Sequence, residues 1–169
     1  MLKLTLFRHA KSSWQTDAPS DHERPLNNRG IRDAPVMAQQ LLDRNLSPDR
    51  CLVSTATRTR ETIAACIEAG LVNQANVAYY DELYLASADA LLNTLQTDFV
   101  SQADPPQHVL VMAHNPGLEI LADTLSEYRT GSLPTAAVAH FLVDDEDFAV
   151  LNTTNTSLEF CISPKKLQG

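Results

Sequence analysis

The sequence predicts an α/β fold: a three-layer α/β/α sandwich, with a mainly parallel central sheet and helices on both faces. Three observations carry this. Short apolar runs alternate with stretches of helical spacing along most of the chain, the pattern of strand–helix–strand units. Two of those runs, Cys51–Val53 and His108–Ala113, read as buried strands, as expected of a sheet covered on both faces. And 169 residues, 44% hydrophobic and 20% charged, suffice for one compact domain with its own core. No linker, internal repeat or low-complexity segment divides the chain, so residues 1–169 are read as one domain.

The elements follow in order. Leu2 to Phe7 is strand-like, and a polar loop with Pro19 and Pro25 runs from Lys11 to Asn28. Ile31, Ala34, Ala38, Leu41 and Leu42 share one helical face. Asn28 is the expected cap. Pro35 should kink the first turns or mark the true helix start. After the strand at Cys51–Val53, Ser54 or Thr55 could cap a helix whose inner face holds Ile63, Ile67 and Leu71. Val77 to Tyr80 reads as a strand, and Leu91, Leu92, Leu95 and Phe99 mark a further helix. Beyond the strand at His108–Ala113, Asn115-Pro116 opens a helix in cap-then-proline order, with Leu118, Leu121, Ala122 and Leu125 inward. Val138–Val143, Phe148–Leu151 and Leu158–Ile162 then read as three strands without a helix, which adds an antiparallel portion.

Charge and cysteine content exclude several classes. The net charge is -8, so an acidic surface repels nucleic acid and anionic membranes, and neither is expected as a partner. An anionic substrate would need a locally positive pocket. Cys51, Cys66 and Cys161 lie far apart in apolar stretches, without a CxxC pair, and read as free thiols. His22 lies between Asp21 and Glu23, but no second cluster has metal-ligand spacing, so no metal and no cofactor is expected. The first residues lack the pattern of a secretory signal, and no apolar run is long enough to span a bilayer; a cytoplasmic location is the default expectation.

Open parallel sheets bind ligands beyond the carboxyl ends of their strands. There the sequence places Arg8 and His9 after the first strand, Ser54 and Arg58 after the second, Asp81 and Glu82 after the third, and His114 and Asn115 after the fourth. Arginine forks match phosphate oxygens and keep their charge. A histidine, neutral near pH 7, attacks an electrophile without help from another base. A second histidine before a helix N-terminus can donate to a phosphoryl group. A nearby carboxylic acid could protonate the leaving group. Arg60 points away from Arg58 on the helix and reads as solvated or ion-paired; His108 sits at the wrong end of its strand, and His140 reads as a half-buried sheet residue.

These residues carry a resemblance. Leu4-Thr5-Leu6-Phe7-Arg8-His9-Ala10 resembles the Arg-His-Gly signature of the histidine phosphatase superfamily. Ser54-Thr-Ala-Thr-Arg58-Thr-Arg-Glu-Thr62 is similar to its second motif, and Ala113-His114-Asn115-Pro116-Gly117 to its Gly-His-Asn-Pro motif. The runs Arg8–Trp14, Arg24–Asn27 and Ser163–Leu167 are similar to the small SixA-like phosphohistidine phosphatase branch. The resemblance implies a phosphoglycerate-mutase-like fold without a large cap insertion. It implies that His9 is the nucleophile, that Arg8 and Arg58 clamp the phosphoryl group, and that His114 is the second histidine of the pocket. Ser12 and Asn115 would complete the binding set, and Glu82 lies where larger relatives keep their acid. Ala10 and Ala113 depart from the family's glycines. With little chain left for a lid, phosphohistidine on a protein is the preferred substrate; a small phosphorylated molecule, or a phosphoprotein-binding module without turnover, is the alternative.

Overall fold

The computed structural model describes residues 1–168. One sheet holds the strands β1 (Leu2–Arg8), β2 (Arg50–Ser54), β3 (Val77–Tyr80), β4 (His108–Ala113), β5 (Val138–Val143) and β6 (Thr156–Ile162). Their order is β3-β2-β4-β1-β5-β6. The first four are parallel, and β5 runs antiparallel to both β1 and β6. Around the sheet lie α1 (Asn28–Leu42), α2 (Thr57–Glu68), α3 (Ala88–Ser101) and α4 (Gly117–Leu125), with a short α5 (Pro164–Gln168) at the end.

The alternation of side chains across each strand builds the three layers. Leu4 and Leu6 of β1, Leu52 of β2, and Val109 and Val111 of β4 pack with Leu91, Leu95 and Phe99 of α3 and Leu118, Leu121 and Leu125 of α4. The intervening positions, Phe7, Cys51, Val53, Leu110 and Met112, pack on the opposite face with Ala34, Met37 and Leu41 of α1 and Ile63 and Cys66 of α2.

Several expectations need correction. Asn27, not Asn28, caps α1, its side chain accepting from the Gly30 amide. The helix starts before Pro35 and runs through it; its buried face is Ala34, Met37, Ala38 and Leu41, which leaves Ile31 exposed. Neither Ser54 nor Thr55 caps α2, whose cap position is Ala56, and Leu71 is buried beyond its end. Pro116, not Asn115, occupies the cap position of α4. Phe148–Leu151 is not a strand: Phe148 inserts its ring edge-on against Phe99, with centroids 5.0 Å apart. The burial of a single aromatic anchor mimics a strand's apolar signal. His140 is fully buried rather than half-buried.

The fold matters for function because β1, β2 and β4 are neighbours. Arg8 is in register with Ala113, and Val53 with Met112, so the residues that follow the three strands emerge side by side at one edge.

Candidate active site

Arg8, His9, Ser12, Arg58, His114 and Asn115 line one cavity of about 370 Å³. The structure thus brings together the sequence-predicted set, with the exception of Glu82. That residue sits in the single 3-10 turn Asp81–Leu83. Successive residues of such a turn point about 120° apart. Leu83 goes into the core, and Glu82 is exposed, lining a separate depression with Tyr80, Thr94 and Asp98. The expected placement of Glu82 beside the other site residues is therefore corrected.

His9 stands at the centre. Its ring nitrogen Nδ1 lies 2.7 Å from the Ala10 carbonyl oxygen, so Nδ1 donates and carries the proton of the neutral ring. Nε2 is then left with its lone pair. Burial pushes the acidity of the ring from 6.5 to about 3, and the charges of Arg58, Arg8 and Arg24 act the same way. His9 is therefore neutral at pH 7. The Ala10 amide in turn donates to Thr62 Oγ1, which donates to the Arg58 carbonyl, tying the end of β1 to α2.

Arg58 is buried in the first turn of α2. Its Nη1 and Nη2 donate to the main-chain oxygen and the carboxylate of Asp21, at 2.8 and 3.1 Å. Arg24 donates to the same carboxylate at 3.0 Å and to Ser12 Oγ at 2.8 Å, which leaves the Ser12 hydroxyl proton free to donate. The Tyr84 hydroxyl completes the group around Asp21; with Arg24 and Arg58 it holds that carboxyl well below the usual range, and Asp21 is ionised. Arg8 donates to the Leu133 carbonyl at 3.1 Å. His114 lies across from His9, with ring centroids 5.1 Å apart, and its Nε2 is 2.8 Å from Ser54 Oγ. Burial, followed by the charges of His9 and Arg58, lowers it to about 3. Asn115 donates from Nδ2 to Glu119 and to the Leu133 carbonyl.

Among the described residues, the buried side-chain nitrogens and oxygens without a hydrogen-bond partner are Arg8 Nε, Arg58 Nε, His114 Nδ1 and Asn115 Oδ1. All belong to this one cavity. A buried polar atom left unpaired costs about 1–3 kcal/mol. Four of them on residues lining one cavity mark a place where a ligand supplies the partners.

Lys11, Trp14, Asp21, Arg24, Leu85 and Thr135 also line the cavity, and none was assigned a role from the sequence. Arg24 stood in a segment that carried the resemblance, but a loop without periodicity gives no signal of where a side chain points. The cavity wall holds four cationic side chains, Arg8, Lys11, Arg24 and Arg58, against the carboxylate of Asp21. In a chain of net charge -8 this is the positive pocket that an anionic substrate requires. At its mouth Trp14 is 75% exposed, with the Arg24 guanidinium stacked on it at 3.6 Å from the ring centroid. Arg60 is exposed and rests over the Tyr79 ring.

The chain is similar to several known proteins. Residues 4–83 match the family model of the histidine phosphatase superfamily (branch 1). An uncharacterised chloroplast protein of Arabidopsis thaliana is 35% identical over 128 residues, which are 73% of this chain and 59% of that one; the chain thus spans less than two thirds of that relative. An uncharacterised protein of Mycobacterium tuberculosis is 34% identical over 71% of this chain and 70% of its own. Two solved structures are similar over nearly the whole length. The protein from Nakamurella multipartitia assigned as phosphohistidine phosphatase SixA is 28% identical, with a TM-score of 0.79 over 96% of each chain. The one from Agrobacterium tumefaciens with the same assignment is 25% identical, with a TM-score of 0.77 over 96% of this chain and 98% of that chain.

Proposed function

The chain belongs to the histidine phosphatase superfamily, and from this premise we propose that it is a phosphatase that transfers the phosphoryl group to His9 Nε2, with phosphohistidine on a protein as substrate. The observation that carries the reading is the commitment of His9 Nδ1 to the Ala10 carbonyl at the base of a cation-lined pocket. That contact leaves a neutral nucleophile with its lone pair available and needs no separate base. Arg8 and Arg58 supply fixed positive charge for the three equatorial oxygens of the transferring group. In the first step the bond from His9 Nε2 to phosphorus forms as the bond from phosphorus to the leaving group breaks. Water then cleaves the phosphohistidine so formed, returning neutral His9 and inorganic phosphate.

The leaving group distinguishes substrates. A serine or sugar alkoxide is strongly basic and must be protonated as it departs. The imidazole of phosphohistidine takes its proton from solvent beforehand and leaves neutral. The carboxylate that lines the pocket, Asp21, is held ionised by Tyr84, Arg24 and Arg58, and so is poorly suited to give a proton. This favours phosphohistidine over alkyl phosphates. Trp14 and Leu85, 75% and 54% exposed at the mouth, suit a polypeptide substrate better than a small polar metabolite. Both assigned SixA structures named above point to the same substrate class.

The test compares rates on a phosphohistidine protein, a phosphoserine or phosphotyrosine peptide, and sugar phosphates, with and without saturating chelator. Phosphohistidine is expected to be the fastest, unaffected by chelator, and to leave acid-labile, alkali-stable label on wild-type protein but not on His9→Ala. Label on another residue with normal kinetics would overturn the mechanism, and a sugar phosphate as the fastest substrate would overturn the substrate class.

A further inference from the structure

We propose that Ser54 is a positioning residue: its hydroxyl locks His114 in the tautomer that carries the proton on Nδ1, so that His114 faces the phosphoryl site as a hydrogen-bond donor. The inference rests on the reading of the pocket as a phosphoryl site. His114 lines the phosphoryl pocket opposite His9, and a neutral imidazole there can present either an N–H or a lone pair. A donor stabilises the developing negative charge, and a lone pair repels it.

The hydrogen-bond count around Ser54 decides between the two. Ser54 is fully buried, at the end of β2. Its Oγ is 3.3 Å from the Ala56 amide, which can only donate, and 2.8 Å from His114 Nε2. The Ser54 carbonyl is held separately by Thr59 Oγ1 at 2.7 Å. If Nε2 carried the proton, Ser54 Oγ would accept from two donors, and its own hydroxyl proton would have no acceptor in a dry site. If Ser54 donates to Nε2, the hydroxyl is satisfied in both directions, and His114 carries its proton on Nδ1. That atom is one of the buried nitrogens left without a partner, on a residue that lines the cavity, which fits a donor reserved for substrate. The doubly protonated ring is not the resting state, since burial and the neighbouring His9, Arg58 and Arg8 hold His114 neutral against the opposing charge of Asp21. The geometry also fixes Ser54 in place: the Ala56 amide and Thr59 Oγ1 hold its hydroxyl and carbonyl at the start of α2, the helix that carries Arg58, so one turn aligns the arginine clamp and the histidine donor.

Long-range nitrogen–proton correlation NMR on the imidazole rings of the whole protein tests this, with the His114 signals assigned by their loss in His114→Asn. The wild type is expected to show protonated Nδ1 and acceptor-type Nε2 on His114. Ser54→Ala is expected to shift His114 to a mixed or Nε2-protonated state and to lower kcat/KM on the order of 10- to 100-fold, as for loss of an oriented donor. An Nε2-protonated His114 in the wild type overturns the proposal, and that spectrum needs no variant to fold. An unchanged Nδ1-protonated ring in Ser54→Ala also overturns it, whatever the rate. Absence of any phosphatase turnover in the wild type would instead remove the proposed function, while the spectrum still reports the tautomer.

Discussion

Residues in this pocket divide by what their hydrogen bonds leave free. Arg58 and Arg60 lie two positions apart on α2, are chemically identical, and have opposite fates. Arg58 is 3% exposed and spends Nη1 and Nη2 on Asp21 while its buried Nε remains unpaired. Arg60 reaches outward, donating to the Thr55 carbonyl and covering the Tyr79 ring at 4.1 Å. A lysine at position 58 retains the charge but cannot hold Asp21 through two nitrogens and offer a third. Arg58→Lys is therefore expected to cost about 2–4 kcal/mol in transition-state stabilisation, read as loss of kcat/KM. Arg60→Lys keeps the charge over Tyr79 and should change kcat/KM less than twofold. Glu82→Gln should be equally silent, because the side chain lines another depression. A sensitive Arg60 with a tolerant Arg58 would show that the clamp is built from the other face of α2.

Elements translate sequence into these positions, and the degree to which they could be read varied with periodicity. β1, β2 and β4 were legible, because a buried strand is a short apolar run bounded by polar residues; β3, a half-exposed edge strand, was legible from its β-branched and aromatic residues. Their carboxyl ends then located Arg8, His9, Arg58 and His114 without any knowledge of side-chain contacts. Asp21, Arg24 and Trp14 were not legible as site residues, since they lie in the loop between β1 and α1, where no repeat encodes direction. Glu82 was misplaced for a related reason: one 3-10 turn is too short to reveal which way it faces. The Phe148–Leu151 segment misled through composition. Close approach between elements was also hidden in single glycines. At the start of α4, a Cβ on Gly117 would lie 1.9 Å from the Ala86 carbonyl oxygen, so the helix can meet the 85–87 loop only if that residue has no side chain. Gly117→Ala should destabilise the protein by about 1–3 kcal/mol through overpacking, measured by denaturant unfolding. It should also raise KM, because the displaced elements carry His114 and Leu85. A stable variant with unchanged KM would show that the loop yields freely.

At the scale of the whole molecule, the buried histidines tie stability to pH. His9 and His114 are lowered to about 3, and His108 and His140 to about 4, in each case chiefly by burial. The second pair is structural. Thr5 Oγ1 of β1 lies 2.7 Å from His108 Nε2 of β4 and 2.8 Å from His140 Nδ1 of β5, so one hydroxyl links three adjacent strands. A hydroxyl donates once and accepts from the other side, which satisfies two neutral imidazoles but not two imidazolium ions. Lys3 opposes protonation of both rings, and Asp49 favours it at His108. The unfolded chain takes up these protons near pH 6.5, whereas the folded one does so only near pH 3 to 4. Stability is therefore level above about pH 6.5 and falls as the pH drops from there towards 4, by at most about 1.4 kcal/mol per pH unit for each histidine. Asp21 adds to the loss in more acid solution, because its depressed carboxyl stabilises the fold only while ionised. Urea midpoints measured at unit steps from pH 7 to pH 4 are expected to fall steadily. In His140→Gln, whose amide can still meet Thr5, the fall should be shallower by the contribution of one proton. A midpoint that stays constant from pH 7 to pH 5 would mean that these rings are protonated in the folded protein as readily as in water, and the neutral, buried His9 on which the nucleophile argument depends would fall with it.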